Sequence, residues 1–276
     1  MLFKYTLPRL VRRITPASLF HFLLRQGWLI RPGAETRVPQ AAFQRYLSAI
    51  QGAGKTLEGK RLMVFGFGGS FALGCMLLRA GAGHVVLCDR YASPQDRYNQ
   101  PLLPEYGDYL EKSGQRISPR PEVLTILQAD VRQLAAKGEI TPFDLVLSTS
   151  VFEHLDDLDG ITRALASLTR PDGFQLHYIN LKDHLFKYPF QMLTYPEAHW
   201  RRWLNPPSNL NRLRFKDFQR LFERHFEQVE ITVVDRDLAA FQRIKARIRP
   251  EFLTGDDQID AATRLQVLAC GPRQVG

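Results

Sequence analysis

The stretch RLMVFGFGGSFALGCMLLRAGAGHVVLCDR, residues 61–90, decides the fold of this chain. Residues 62–65 form an apolar run that is too short for a helix and typical of a strand buried on both faces. Glycines interrupt the run from position 66, and apolar residues then return at helical spacing over positions 71–80. A second apolar run at 85–88 ends at Asp89. The stretch therefore predicts a strand, a glycine turn, a helix and a second strand that ends at a carboxylate.

A unit of this kind is suited to an adenosine-like ligand. Glycines allow a tight turn and close approach of a ligand, and an acid after the second strand can accept hydrogen bonds from both ribose hydroxyls. The dinucleotide fingerprint G-x-G-x-x-G would place its third glycine at Phe71, where a large ring would obstruct packing of the helix on the strand. S-adenosylmethionine, which has no pyrophosphate, is therefore favoured over a dinucleotide.

The same stretch resembles the nucleotide-binding segment of class I S-adenosylmethionine-dependent methyltransferases, whose pattern is roughly acid-x-G-x-G-x-G. Gly66 and Gly68 match this pattern. Val64 stands at the family's acid, which helps to hold the methionine end of the cofactor, and Ser70 stands at its third glycine. Two matching glycines alone would also fit a structural turn in an unrelated α/β protein.

Three later landmarks resemble the same family in the same order. Residues 124–127 predict a third strand, and an acidic position, Asp130, follows it. The segment FDLVLSTSVFEHLDDL, residues 143–158, looks very much like the fourth strand and following loop of small-molecule methyltransferases, and R-P-D-G at 170–173 resembles the turn before their fifth strand. The resemblance implies an α/β, Rossmann-like, doubly wound sheet of seven strands, mostly parallel with a reversed last strand, and helices on both faces.

The resemblance also implies a set of cofactor-binding residues around the carboxyl ends of these strands. They are Gly66, Phe67, Gly68, Gly69, Ser70, Asp89, Arg90, Ala129, Asp130, Val131, Ser148 and Thr149. In the family, an acid at the position of Asp130 often hydrogen-bonds the adenine amino group. The residue type equally suits a cap for a helix predicted over 131–137.

Two histidines are candidates for a general base, which methyl transfer to a hydroxyl acceptor can require. His184 follows the fifth predicted strand and His154 follows the fourth, so both fall at the ligand-binding edge. Either could instead make a structural hydrogen bond. Asp183 is interpreted as a residue that orients His184 or caps a helix, and His177, inside a strand, as a core residue.

The order of these segments divides the chain into a helical cap at residues 1–57 and a methyltransferase domain at 58–276. Residues 91–121 are predicted to be loops around one short helix. An insertion at 181–218 combines aromatic and basic residues, which suits a sugar, a phosphate or a stacked base, although most of the aromatics are expected to form a local core.

Composition limits the partners. The 37 Lys and Arg residues against 28 Asp and Glu give a net charge of +9, which favours acidic partners. Three cysteines without metal-ligand spacing predict reduced core residues and no metal site. The apolar residues 19–30 are interrupted and too short to span a membrane, so we expect a cytoplasmic protein.

The first 14 residues form a basic amphipathic segment. On a helical wheel, apolar residues share one side, opposite Arg9, Arg12 and Arg13. One interpretation is peripheral contact with an anionic membrane. The other is a helix that packs its apolar side on the core and leaves its basic side in water.

Three functional hypotheses follow. The first is a methyltransferase that uses S-adenosylmethionine to methylate a small-molecule or carbohydrate-like acceptor, acidic or sugar-containing, at oxygen. The second is an RNA methyltransferase, which the positive charge permits, although no RNA-binding module and no N-P-P-Y at residues 148–151 support it. The third is a methyltransferase-like scaffold without activity, which Val64 and Ser70 leave open.

Overall fold

The computed structural model describes residues 2–13, 38–114, 116–183, 187–205 and 209–273. The strands are β1 (Arg61–Phe65), β2 (His84–Cys88), β3 (Leu110–Ser113), β4 (Arg116–Pro119), β5 (Leu124–Leu127), β6 (Phe143–Thr149), β7 (Thr169–Asn180), β8 (Phe226–Arg236) and β9 (Ala262–Pro272). The α-helices are α1 (Leu2–Arg13), α2 (Pro39–Gly52), α3 (Ala72–Arg79), α4 (Asp96–Asn99), α5 (Leu103–Tyr106), α6 (Val131–Lys137), α7 (Leu158–Ser167), α8 (Glu197–His199), α9 (Phe215–His225), α10 (Leu238–Ile244) and α11 (Asp257–Asp260).

Seven strands form one sheet in the order β5-β2-β1-β6-β7-β9-β8. The pairs from β5 to β7 are parallel, whereas β9 runs antiparallel to both of its neighbours, β7 and β8. This arrangement confirms the predicted Rossmann-like sheet with a reversed last strand.

The sheet separates two hydrophobic layers, because successive side chains of a strand point to opposite faces. In β1, Leu62 and Val64 join a core cluster with residues of α2 and α3. Met63 and Phe65 join a second cluster with residues of α7 and α9. Helices on both faces therefore bury all of β1 after Arg61, which explains its unbroken apolar sequence.

The segment between β2 and β5 differs from the prediction. It contains two short helices, α4 and α5, and the antiparallel hairpin of β3 and β4. The prediction of loops around one short helix is wrong because this hairpin is short and mostly polar, so its sequence lacks an alternating apolar pattern.

Helix α1 also differs from the prediction. Tyr5 and Arg9 are buried, whereas Phe3, Leu7 and Leu10 are exposed. The interpretation in which the apolar side packs on the core and the basic side is solvated is therefore wrong for these side chains. In the part of the chain that the structure covers, no helix combines the length and the apolar character that crossing a membrane requires.

The predicted insertion builds a core of its own. Phe190, Tyr195 and Trp200 are buried in a third cluster, to which Tyr5 of α1 also belongs. This confirms that most of the described aromatic side chains in the insertion are core residues. Trp203 is an exception, since it is largely exposed.

His177 is a core residue of β7, as predicted. Its Nδ1 lies 2.7 Å from Ser148 Oγ and its Nε2 lies 2.8 Å from Gln175 Oε1. The imidazole is fully buried, and this burial lowers the pKa of His177 to about 3.

We expect this histidine to make the protein sensitive to mild acid. An unfolded histidine has a pKa of about 6.5, so between that value and about 3 the unfolded chain binds a proton that the folded chain excludes. Stability is therefore lost as the pH falls below about 6.5, by about 2 kcal/mol between pH 7 and pH 5. In urea titrations, His177→Gln should lose about 2 kcal/mol less than the wild type over this range. Equal losses would show that His177 does not carry this dependence.

Candidate functional site

The glycine turn lies at the carboxyl end of β1. Gly66, Gly68 and Gly69 have φ angles of 84°, 65° and 88°, a region that residues with a Cβ rarely adopt. The main chain at Gly68 is exposed, whereas Phe67, Gly69 and Ser70 are buried. A ligand can therefore reach the turn at the backbone of Gly68.

The turn is held in place by residues from α4 and the loop before it. The amide of Phe71 donates to Asn99 Oδ1 at 2.9 Å, and Asn99 Nδ2 donates to the carbonyl of Gly69 at 3.1 Å. The amide of Gln95 donates to the same carbonyl at 2.9 Å. Asn99 is fully buried, and nothing in the local sequence predicted its role.

Asp89 lies beside this turn at the carboxyl end of the neighbouring strand, β2. Its Oδ1 accepts hydrogen bonds from the amides of Tyr91 and Ala92, both at 2.8 Å. Its Oδ2 accepts a long bond of 3.3 Å from the amide of Gly68. The carboxylate is half-buried and contacts the exposed main chain of the glycine turn.

Asp130 occupies the N-cap of α6, and its Oδ1 accepts a hydrogen bond from the amide of Arg132 at 3.0 Å. The Arg132 guanidinium and Arg90 also bind this carboxylate, and the hydrogen bonds from Arg132 lower the pKa of Asp130. The capping role is thus observed. The adenine contact stays a prediction, and Arg132 is a residue near the site that the sequence did not indicate.

The carboxyl end of β6 brings Ser148 and Thr149 to the same edge. The hydroxyl of Ser148 is buried against His177, so only the backbone of Ser148 is placed for a ligand. The hydroxyl of Thr149 hydrogen-bonds Tyr46 of α2. Helix α2 therefore covers this edge. Val131 is buried as well, and Ala129 is partly exposed.

The loop after β6 contains a residue with a positive φ and is held by hydrogen bonds to residues that are distant in sequence. Ser150 has a φ of 55°, which is costly for a residue other than glycine and often marks a functional site. His154 Nδ1 donates to the carbonyl of Asn209 at 2.8 Å. Asn211 binds the carbonyls of Phe152 and Glu153. The predicted insertion thus holds the loop that carries His154, in a contact that spans 55 residues.

Asp183, which follows β7, makes contacts that the sequence did not predict. Its carboxylate is fully buried and accepts hydrogen bonds from Tyr5 and Arg9, so it binds α1. Its predicted roles, orienting His184 or capping a helix, stay predictions. His184, the other candidate base, lies outside the described residues.

Two arginines of the insertion also have structural roles. Arg212 donates to the carbonyls of Met192 and Tyr195, and Arg214 donates to the carbonyls of Leu181, Asp260 and Ala262. Burial lowers the pKa of Arg214 to about 10. These two arginines are therefore used in folding, whereas Arg201 and Arg202 are exposed.

Taken together, the carboxyl ends of β1, β2 and β6 bring most of the predicted cofactor residues to one edge of the sheet. An adenosine with two ribose hydroxyls fits the exposed Gly68 backbone and the Asp89 carboxylate. Val64, at the family's acidic position, is buried in the core, so no carboxylate reaches the site from there.

Gly66→Ala is expected to destabilise the protein by about 3 kcal/mol, because it combines backbone strain with a steric clash. An added Cβ would lie 2.2 Å from Cγ2 of Val151, at a φ of 84°. Gly54→Ala is a matched control, since Gly54 has a φ of 67° and nothing within 4 Å of an added Cβ. We expect this control to lose only about 1 kcal/mol in urea unfolding. Equal losses would mean that contact with Val151 does not matter.

Part of the chain matches a known protein family. Residues 69–176 match the family described as "Methyltransferase domain". The matched part contains Asp89, Asp130, Ser148 and His154. It agrees with the predicted resemblance to methyltransferases, and the bounds of the domain stay a prediction. No curated protein matches the chain in sequence.

Solved structures of similar fold include three methyltransferases. Magnesium protoporphyrin IX methyltransferase from Synechocystis PCC 6803 with bound SAH has 15% identity and a TM-score of 0.50, over 94% of this chain and 98% of that chain. Phosphoethanolamine N-methyltransferase 2 from Haemonchus contortus, in complex with S-adenosyl-L-methionine, has 13% identity and a TM-score of 0.49, over 83% and 53%. A putative methyltransferase from Bacillus halodurans C-125 has 11% identity and a TM-score of 0.48, over 82% and 99%. The first of these similarities supports the fold.

Proposed function

We infer that the chain, which carries a class I S-adenosylmethionine-dependent methyltransferase domain, transfers a methyl group from this cofactor to the oxygen of a small-molecule or carbohydrate-like acceptor. The observation that carries the proposal is the contact between the Asp89 carboxylate and the exposed amide of Gly68, at the ends of two adjacent strands. This is the arrangement that an adenosine ligand requires.

Methyl transfer is a direct displacement, and bound S-adenosylmethionine supplies an electrophilic methyl group. The chain then has to align the acceptor with that group and exclude water. Helix α2 covers the edge of the sheet through the contact of Tyr46 with Thr149, which serves the exclusion of water. The loop after β6 is held by Asn209 and Asn211, which serves alignment.

A hydroxyl acceptor can require a general base, and the candidates remain His154 and His184. The hydrogen bond from His154 Nδ1 to the Asn209 carbonyl supports His154, because it fixes the orientation of the ring and places the proton on Nδ1. In this tautomer, Nε2 is the nitrogen that can accept a proton from an acceptor hydroxyl.

Exposed residues of the predicted insertion suit a small, acidic or sugar-containing acceptor. Arg202 and Trp203 are exposed and lie together, with the guanidinium carbon 5.0 Å from the ring centroid. An aromatic face beside a cation suits a sugar ring or a phosphate. The proposal also includes peripheral contact with a membrane through the basic N-terminal region, because α1 contains basic residues and no acidic residue.

An assay of S-adenosylhomocysteine release tests this function. The full chain is incubated with S-adenosylmethionine and with sugars, sugar phosphates, lipid-linked sugars or RNA, alongside an inactive comparison variant, Asp89→Ala. We expect release with acceptors of the sugar type only. Release with RNA alone would favour the RNA methyltransferase alternative. Failure of the protein to bind S-adenosylmethionine would favour the scaffold.

A further inference from the structure

Helix α1 presents an apolar face to solvent. Phe3, Leu7 and Leu10 follow the i, i+4, i+7 spacing of one helix face and are 71%, 45% and 39% exposed. Helices that pack on a protein normally turn such a face towards the core. The outward orientation therefore requires an explanation.

The orientation is fixed by the opposite side of the helix. Tyr5 and Arg9 are both buried, and both donate hydrogen bonds to the buried carboxylate of Asp183. Arg9 also donates to the carbonyl of Leu204 at 3.0 Å, and its guanidinium carbon lies 4.7 Å from the ring of Trp200. These contacts hold α1 in a rotation that keeps the apolar face outside.

The turn on which α1 packs, Trp200–Leu204, adds an exposed aromatic residue. Trp203 is 44% exposed, and Arg202 lies against its ring. Lys4 is exposed on α1. Arg201 is paired with Glu197, so we assign the basic charge of this surface to Lys4.

We propose that the outer α1 surface, defined as Phe3, Lys4, Leu7 and Leu10, rests on an anionic lipid bilayer. Apolar residues on one helix face, with basic residues around them, insert into the boundary between headgroups and acyl chains. A net charge of +9 adds attraction to anionic lipids. This charge favours a bilayer over a second copy of the same chain, which would repel it.

This surface restricts the class of molecule that we propose as the methyl acceptor. Asp183, which binds α1, follows β7 by three residues, at the edge of the sheet where ligands bind. A bilayer under α1 therefore lies near the acceptor side of the site. The acceptor that fits is an amphiphile with its polar group at the membrane surface. This inference rests on the membrane contact included in the proposed function.

Vesicle flotation of the full chain tests the proposal. We expect binding to vesicles of phosphatidylcholine with about 30% phosphatidylserine to be at least about tenfold tighter than binding to phosphatidylcholine alone. Raising the salt from about 0.1 M to about 0.5 M should weaken it, since the Debye length shortens.

The test variant is Phe3→Asp/Leu10→Asp. Its matched control is Val38→Asp/Val234→Asp, which changes two residues that are 55% and 39% exposed and alters the net charge equally. The test variant should lose at least about tenfold in vesicle binding, and the control should stay within about twofold of the wild type.

Calorimetry with S-adenosylhomocysteine separates this proposal from the methyltransferase function, because it measures cofactor binding without a membrane. Normal cofactor binding with no vesicle binding by the wild type would overturn the bilayer proposal alone. Equal losses in the test and control variants would overturn it too. A wild-type dimer that the test variant converts to a monomer, without any vesicle binding, would assign the surface to a second copy.

Discussion

Asp89→Ala is expected to weaken the binding of S-adenosylhomocysteine by at least about 100-fold, since hydrogen bonds to a charged group contribute about 1.5–3 kcal/mol each. Two such bonds from the ribose would be lost. Isothermal titration calorimetry of the ligand-free protein measures the effect directly. The change is large because the carboxylate is half-buried beside Gly68, where water replaces it poorly.

The substitution also removes the acceptor for the amides of Tyr91 and Ala92, so a second variant is needed. Asp89→Asn retains one carbonyl oxygen for these amides and should lose only about tenfold in affinity. Asp108→Ala, at an exposed acid far from the glycine turn in sequence, should bind normally. Undiminished binding by Asp89→Ala would place the cofactor elsewhere.

Arg9→Met is expected to lower the free energy of unfolding by about 3–5 kcal/mol, because it removes the charge that compensates a buried carboxylate. Arg9 and Asp183 are both almost completely buried. Burial also raises the pKa of the Tyr5 hydroxyl, so Tyr5 stays neutral. Tyr5 can donate a hydrogen bond to Asp183, but it cannot supply the positive charge that Arg9 provides. Urea unfolding measures the loss.

Two controls separate this ion pair from a general effect of the substitution. Arg9→Met/Asp183→Leu should recover much of the stability, because a buried pair replaced by apolar residues is often neutral. Arg249→Met breaks the exposed pair with Glu251 and should cost no more than about 1 kcal/mol. If the double variant were as unstable as Arg9→Met, the uncompensated charge of Asp183 would not be the cause of the lost stability.

Local patterns in the sequence were enough to predict the sheet and the position of many residues at the carboxyl ends of its strands. Buried strands such as β1 are unbroken apolar runs because both faces are covered. Helix α6 has the predicted bounds, residues 131–137, because Asp130 caps it locally. The position of Asp89 at this edge could be predicted because a carboxylate directly after an apolar strand is visible in the sequence alone.

The remaining contacts depend on residues that are distant in sequence. Asn99 holds the glycine turn from 30 residues away. The sequence predicts a solvated Arg9, but its partner, Asp183, follows 174 residues later and lies beside it in the fold. The spacing of apolar residues along a helix contains no information on contacts between residues that are distant in sequence. A helical wheel therefore predicted the wrong buried side for α1. The same limit explains why Asn209 was not connected with His154.

The ion pair of α1 has a consequence for synthesis on the ribosome. Arg9 is synthesised before Asp183, which follows 174 residues later. At about 5–20 residues per second, this separation corresponds to about 9–35 s during which the partner does not yet exist. Helix α1 can therefore complete this contact only after residue 183 has been made, and a chain released earlier would leave α1 without the Asp183 carboxylate.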